Sequence, residues 1–207
     1  MNIYKTIDIP NWQNTSNLVY EYIKRHEELY NTLNVWVWFD FSSMLEEIPE
    51  IEQSLASVGL SVGWLSLLRC KPNEGFHIHA DGYQPNDPGR ARILWPIKNC
   101  EGSFTNFYDV PREDLILYNA PDNDNPEKTN TRSINGVDFS LTYFRPDESK
   151  GPYEKIDELT LASPIIFDSS IAHQVVSNPD IEEPRFTMTI QTQENLIPYL
   201  DESFGKY

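Results

Sequence analysis

Residues 165–192 read IIFDSSIAHQVVSNPDIEEPRFTMTIQT. Three runs rich in β-branched and aromatic residues, Ile165–Phe167, Gln174–Ser177 and Phe186–Thr192, are separated by clusters of Asp, Ser, Asn and Pro. Each run is too short for a helix and each break carries turn chemistry, so the stretch predicts three strands in succession. The same texture extends back to Gly59. Trp64–Cys70, Phe76–His79, Arg92–Ile97, Ser103–Tyr108, Asp114–Tyr118, Val137–Phe144 and Glu158–Leu161 are further β-prone runs, punctuated by Gly, Pro, Asn and Asp. Many short strands with few helices indicate a sandwich or barrel. The 15 prolines of the chain suit that reading and argue against long helices in this half.

Helical periodicity is confined to the residues before Gly59. From Trp12 to about Asn31, Leu18, Val19, Tyr22, Ile23, Leu29 and Tyr30 recur at three- and four-residue intervals. A second helical stretch runs from Ser42 to Ala56, and between the two VWVWFDF (Val35–Phe41) alternates as a strand does. Asn119 to Thr131 holds almost no apolar residue and reads as a loop or insertion. The expected organisation is one domain over 1–207. It has helical support over 1–60, a β core over 61–193 with a polar insertion at about 119–135, and a tail over 194–207.

The chain has 207 residues, with 16 Lys and Arg against 32 Asp and Glu, a formal charge of −16. That field repels phosphate backbones and anionic lipid surfaces, so neither nucleic acid nor membrane is an expected partner. No stretch approaches the roughly 20 apolar residues of a membrane span, and the first residues show no signal-peptide pattern. Two cysteines, Cys70 and Cys100, lack metal spacing and are too few for a disulfide scaffold. A cytoplasmic protein is expected.

Chemistry concentrates in the histidines. His26 lies in a charged helical run and reads as surface. His77 and His79 stand in EGFHIHADG (Glu74–Gly82), and His173 in FDSSIAHQVV. On a strand, residues two apart share a face, so His79 and Asp81 can point at one centre. His173 would complete a set of two imidazoles and one carboxylate, which leaves coordination positions open and suits Fe(II) oxygen chemistry. Arg185 follows beyond a turn, NPDIEEP, which predicts a hairpin with His173 on one arm and Arg185 on the other. At about 3.3 Å per residue, the two ends would lie roughly 13 Å apart. A five-carbon dicarboxylate chelating the metal would fill much of that distance, its far carboxylate on Arg185 and the Thr187 hydroxyl.

HxD, a distant His and Arg-x-Thr on the next strand resemble the Fe(II)- and 2-oxoglutarate-dependent oxygenases over roughly Trp64 to Gln193. RILWPIKNCEGSFTNFY (Arg92–Tyr108) is similar to small, mostly uncharacterised members from marine bacterial and phage genomes, some described as aspartyl/asparaginyl hydroxylase-like. The resemblance implies a mainly β protein, a double-stranded β-helix (a cupin-like jelly roll) with amino-terminal helices on the outside of the larger sheet. It implies iron on His79, Asp81 and His173, and 2-oxoglutarate on Arg185. The implied reaction couples decarboxylation of 2-oxoglutarate to hydroxylation of an amino acid, a peptide side chain or a small metabolite. The long interval from Asp81 to His173 implies an insertion. Arg92 is a second candidate anchor for the cosubstrate.

Two other readings stand beside this one. His77 and His79 spell HxH, the opening of a cupin metal site that would bind metal through His77, His79 and His173 without 2-oxoglutarate, although ADGYQPND (Ala80–Asp87) lacks the Glu such a site wants. Otherwise His77 is expected to line the pocket from the same strand face. A non-catalytic β-helix acting as a binding module is the third reading. Asn99, Thr105 and Tyr108 are the polar residues first expected to touch cosubstrate or substrate. Asp122, Asp124 and Glu127, if they hang over the mouth, would favour a basic substrate.

Overall fold

Phe186, Met188 and Ile190 turn to one side of their strand and Arg185, Thr187 and Thr189 to the other, yet all are buried. A strand buried on both faces needs a layer on each side. Helices supply one layer and a second sheet the other. The computed structural model describes residues 2–27, 36–37, 41–72, 75–81, 90–119, 131–134, 137–140, 142–177, 180 and 182–201.

In chain order the elements are β1 (Tyr4–Thr6), α1 (Trp12–Arg25), β2 (Trp36–Val37), α2 (Phe41–Glu47), α3 (Glu50–Ala56), β3 (Val62–Cys70), β4 (Ala91–Lys98) and β5 (Ser103–Asp109). There follow β6 (Leu115–Asn119), β7 (Thr131–Ile134), β8 (Val137–Ser140), β9 (Thr142–Pro146), β10 (Glu154–Thr160), β11 (Ile165–Asp168), β12 (Ala172–Ser177) and β13 (Arg185–Thr192). The larger sheet has the order β1-β11-β4-β13-β3-β2, and the smaller has β10-β5-β12. Residues 75–80 extend the smaller sheet through antiparallel bridges, Gly75 to Val176 and His79 to His173.

From β3 onward the chain therefore crosses between the sheets at every step, except at the β5–β10 pair, which carries the inserted segment. This alternation is a double-stranded β-helix, a jelly roll, as the sequence resemblance implied. The inserted hairpin of β6 and β9 is not remote. Ala80 bridges Phe144, so β9 lies against the segment that bears His79 and Asp81.

Two apolar clusters hold the layers. Val19, Tyr22 and Ile23 of α1 and Ile51 and Leu55 of α3 pack on Leu65, Leu67, Ile93, Trp95, Met188 and Ile190 of the larger sheet. Leu94, Phe107, Ile165 and Phe167 fill part of the space between the sheets. Trp95 donates its indole N–H to Ser16 Oγ at 2.9 Å, and that oxygen lies 2.7 Å from the Pro96 carbonyl, which fixes α1 over β4.

Several expected boundaries move for identifiable reasons. The helix expected to reach Asn31 is described as α1 to Arg25, and residues 28–31 lie outside the described residues. The helix expected over 42–56 is two helices, broken at Pro49, which has no N–H to continue the ladder. Of the strand expected over 35–41, Trp36 and Val37 pair with β3 and Phe41 opens α2. The run expected over 137–144 is divided between β8 and β9. The hairpin expected between His173 and Arg185 does not form. Both edges of β12 are taken, by β5 and by the 75–80 segment, and both edges of β13 by β3 and β4. The two residues stand in opposite sheets. Among the described residues no helix is long and apolar enough to cross a membrane.

Met188 has 0% exposure at the centre of the helix-to-sheet core. Met188→Ala is expected to cost about 2–5 kcal/mol, read as a lower urea midpoint at unchanged m-value.

Candidate functional site

Gly75 pairs with Val176 and His79 with His173, which sets four steps on one strand against three on the other. The extra residue is a β-bulge, and a bulge shifts the phase of the side chains beyond it. Phe76 and His79 consequently both line the space between the sheets, while His77 lies exposed on the other side. The expectation that His77 shares the pocket face is thereby corrected, as is the three-histidine cupin set built on it. Close backbone approach marks the spot, since a Cβ at Gly75 would come within 3.0 Å of the Val175 carbonyl.

Beyond the bulge, His79 and His173 exchange backbone hydrogen bonds of 2.9 and 2.7 Å. Their rings lie side by side, 4.5 Å between centroids, and Asp81 returns to the same face two residues on. Ligand atoms of His79, Asp81 and His173 all fall within 4.8 Å of one another. Each imidazole is oriented by a carbonyl, His79 Nδ1 by His77 O and His173 Nδ1 by Ile171 O, both at 2.8 Å. A carbonyl only accepts, so the proton of each neutral ring sits on Nδ1 and the Nε2 lone pair is left for a metal. Burial, reinforced by the neighbouring His79, pushes His173 down to about 4, so it is neutral at pH 7. Burial alone would raise the Asp81 carboxyl, but Arg92 and then the two imidazoles hold it below the ordinary carboxylate range. Two imidazoles that present Nε2 and a carboxylate fit a divalent metal.

The turn between β11 and β12 buttresses this set, and sequence reading missed it. Asp168, 1% exposed, takes Arg90 Nη2 on Oδ2 at 3.0 Å and the Ser170 N–H and hydroxyl on Oδ1 at 3.1 and 2.5 Å. The carbonyl of Ser169 then accepts the Asp81 N–H at 2.7 Å, and Ile171 supplies the carbonyl that orients His173. The signal available in the sequence was D-S-S, a Ser-rich turn closing on an Asp, placed just before a histidine.

A cavity of about 620 Å³, its open mouth included, lies between the sheets and is lined by His79, Asp81 and His173 together with Arg92, Arg185 and Thr187. Its apolar wall is Leu68, Phe76, Leu94, Phe167 and Val175. Arg92 Nη1 is 3.2 Å from Asp81 Oδ2. Arg185 is only 4% exposed, with Nε buried and unpartnered and no carboxylate paired to it among the described residues. Glu183, a neighbour that might have taken it at the surface, instead accepts from Asn99 at 3.2 Å. The buried hydroxyls of Ser66 and Thr105, both without hydrogen-bond partners among the described residues, line the same cavity. Of the other polar suspects, Asn99 serves a turn at φ 55° and Tyr108 donates to Gln174 at 2.9 Å, away from the cavity. Asp122, Asp124 and Glu127 lie outside the described residues.

No protein-family model matches the chain, and no curated protein matches it in sequence. Similar solved structures include a prolyl-4-hydroxylase from Pseudomonas putida, at 11% identity over 94% of each chain and a TM-score of 0.43. A prolyl hydroxylase from Trichoplax adhaerens, in complex with a hypoxia inducible factor oxygen degradation domain peptide, is 14% identical over 94% of this chain and 84% of its own, TM-score 0.40. SnoN, a non-heme alpha ketoglutarate dependent epimerase from nogalamycin biosynthesis, is 12% identical over 100% of this chain and 86% of its own, TM-score 0.46. At these values the likeness assigns no role to any residue here.

Two outcomes follow from the geometry. Asp168→Asn leaves Arg90 facing a neutral amide and is expected to destabilise the metal-free protein by about 3–5 kcal/mol, measured by denaturant unfolding in a chelator. His77→Ala keeps the carbonyl that orients His79, so divalent-metal affinity measured by calorimetry is expected to stay within about twofold of the parent.

Proposed function

We propose that the protein is an iron(II)- and 2-oxoglutarate-dependent oxygenase, a hydroxylase acting on an amino acid, a peptide side chain or a small metabolite. His79 and His173 through Nε2, and Asp81 through its carboxylate, would hold the metal. The observation that carries the reading is Arg185, a buried guanidinium without a carboxylate partner among the described residues, in the wall of the cavity that also presents the ligand set. A buried charge is costly unless it is paired, so an anionic ligand is the natural complement.

In this reading Arg185 takes the far carboxylate of 2-oxoglutarate, with hydroxyls from Thr187 and Ser66 on the same wall and Thr105 on the facing one as further donors. Arg92 has a different task. Its contact with one oxygen of Asp81 holds the carboxylate in orientation, which favours Arg185 over Arg92 as the cosubstrate anchor. Leu68, Leu94, Phe167 and Val175 keep the ligand's chain in an apolar setting, where the charge-assisted bonds at its end are strongest. With iron and 2-oxoglutarate bound, the site supplies oxidation of substrate by dioxygen, giving succinate, carbon dioxide and hydroxylated product. The chain's own contribution is ligation, orientation and exclusion of water.

The test is an anaerobic titration of metal-free protein with Fe(II) and then 2-oxoglutarate, followed in the visible spectrum. A charge-transfer band requiring both is expected. Arg185→Ala should weaken 2-oxoglutarate at least about 30-fold, and Asp81→Ala should abolish iron binding. Loss of the band in Arg92→Ala with its retention in Arg185→Ala would move the anchor. Iron binding without any band would remove 2-oxoglutarate from the proposal, and no metal binding would leave a binding module.

A further inference from the structure

The inserted hairpin brings a second set of chemical groups to the site. β9 runs antiparallel to the 75–81 segment, with Ala80 and Phe144 exchanging both backbone hydrogen bonds at 2.9 Å. Tyr143 and Arg145, on either side of Phe144, therefore project to one side of β9, Tyr143 against His79 and Arg145 into the adjoining groove that it lines with His77, Tyr108 and Glu148. The Tyr143 ring stands edge-on to His79, 5.6 Å between centroids. Tyr118 of β6 lies 5.2 Å from the Tyr143 ring, and the Arg145 guanidinium sits 3.8 Å from the Tyr118 ring centroid and 5.3 Å from that of Tyr143. Arg145 Nη2 donates to the Tyr143 hydroxyl at 2.8 Å.

Arg145 has aromatic faces but no paired counter-anion among the described residues. Its Nε is buried without a hydrogen-bond partner, and among the described residues it pairs with no carboxylate. Stacking on Tyr118 fixes the guanidinium plane and leaves further N–H donors at its rim. Tyr143 accepts from Arg145 and keeps its own proton to donate. Around the ligand set, the cavity-lining carboxylate among the described residues is Asp81, already engaged with Arg92. Exposed Glu148 lies on the wall of the groove that Arg145 lines but forms no ion pair with it among the described residues, so a substrate carboxylate would find a held guanidinium and a hydroxyl.

We infer that the substrate carries a carboxylate, bound by Arg145 and the Tyr143 hydroxyl on the hairpin wall beside His79. This rests on the oxygenase reading of the neighbouring site. It assigns the inserted hairpin to substrate selection and runs opposite to the basic substrate that the acidic residues 122, 124 and 127 would have suggested. Arg145, Arg185 and Arg92 then divide the anionic partners among them: substrate, cosubstrate and the metal-ligating carboxylate.

The test uses the full chain loaded anaerobically with Fe(II) and 2-oxoglutarate. Binding is measured by calorimetry for matched acids and amides. The pairs are N-acetyl-L-valine with its amide, and N-acetyl-L-glutamic acid α-amide with N-acetyl-L-glutamine α-amide. N-acetyl-L-lysine amide is the cation. At least one acid is expected to bind about tenfold or more tightly than its amide. Arg145→Met should erase that preference while leaving the Fe(II) and 2-oxoglutarate absorption band unchanged, and Arg145→Lys should keep part of it. Tyr143→Phe, which retains the ring, should weaken the preferred acid several-fold and provides a second reading if Arg145→Met melts early. Amides or the lysine probe binding as well as the acids would overturn the inference, as would an acid preference that survives Arg145→Met. Absence of the absorption band in the parent protein would instead overturn the oxygenase reading, so the two failures are distinct.

Discussion

Two hydrogen bonds, His79 N–H to His173 O and His173 N–H to His79 O, hold the candidate site in register. They fasten an irregular segment to β12, whose other edge is already fastened to β5. Residues 75–81 make isolated bridges rather than a continuous ladder, so their phase rests on a few contacts, of which this pairing is the one that joins the two histidines. With them, two imidazoles are directly opposite and their Nδ1 atoms each meet a carbonyl two residues back in sequence. That pairing brings the rings together, and the carbonyls of His77 and Ile171, the contact of Arg92 with Asp81 and the bridge from Ala80 to Phe144 complete the arrangement.

The sequence was most legible where a local period carries the information. His79 and Asp81 share a face because strand residues alternate, and that part of the site needed no knowledge of the fold. Its reading failed where backbone spacing overrides alternation. The bulge after Gly75 inverts the expected side of His77, and nothing in HIH announces it, because the cause lies in how closely the Val175 carbonyl approaches. Proximity along the chain misled in a second way. Residues 173 and 185 look like a hairpin, but a jelly roll sends successive strands to opposite sheets, and the edges that such a hairpin would need are occupied. The contact between Arg92 and Asp81 joins different sheets and has no sequence signature.

Global charge and local charge also part company. A chain with formal charge −16 places three arginines around one small region, two in the cavity wall and one on the adjoining hairpin. The acidic excess governs how the whole protein meets polyanions at a distance. It says little about ligands inside a cavity, where a few fixed donors at short range outweigh a field that solvent and salt screen within about 10 Å. Composition bears on partners met at long range and is silent about the sign of the site.

The crossing of the chain between sheets has a temporal consequence. His79 and His173 are separated by the whole succession from β4 to β11, so the first imidazole is synthesised long before the second. At about 5–20 residues per second, the interval is roughly 5–20 s. During that time β4 and β5 are present, but the smaller sheet lacks β12, the strand that fixes the phase of residues 75–81. A nascent chain can offer a metal only His79 and Asp81 on an unanchored segment. If the three residues bind a metal as proposed, tight binding waits until the last strands of the core have docked, and metal uptake is a late event in folding rather than a nucleus for it.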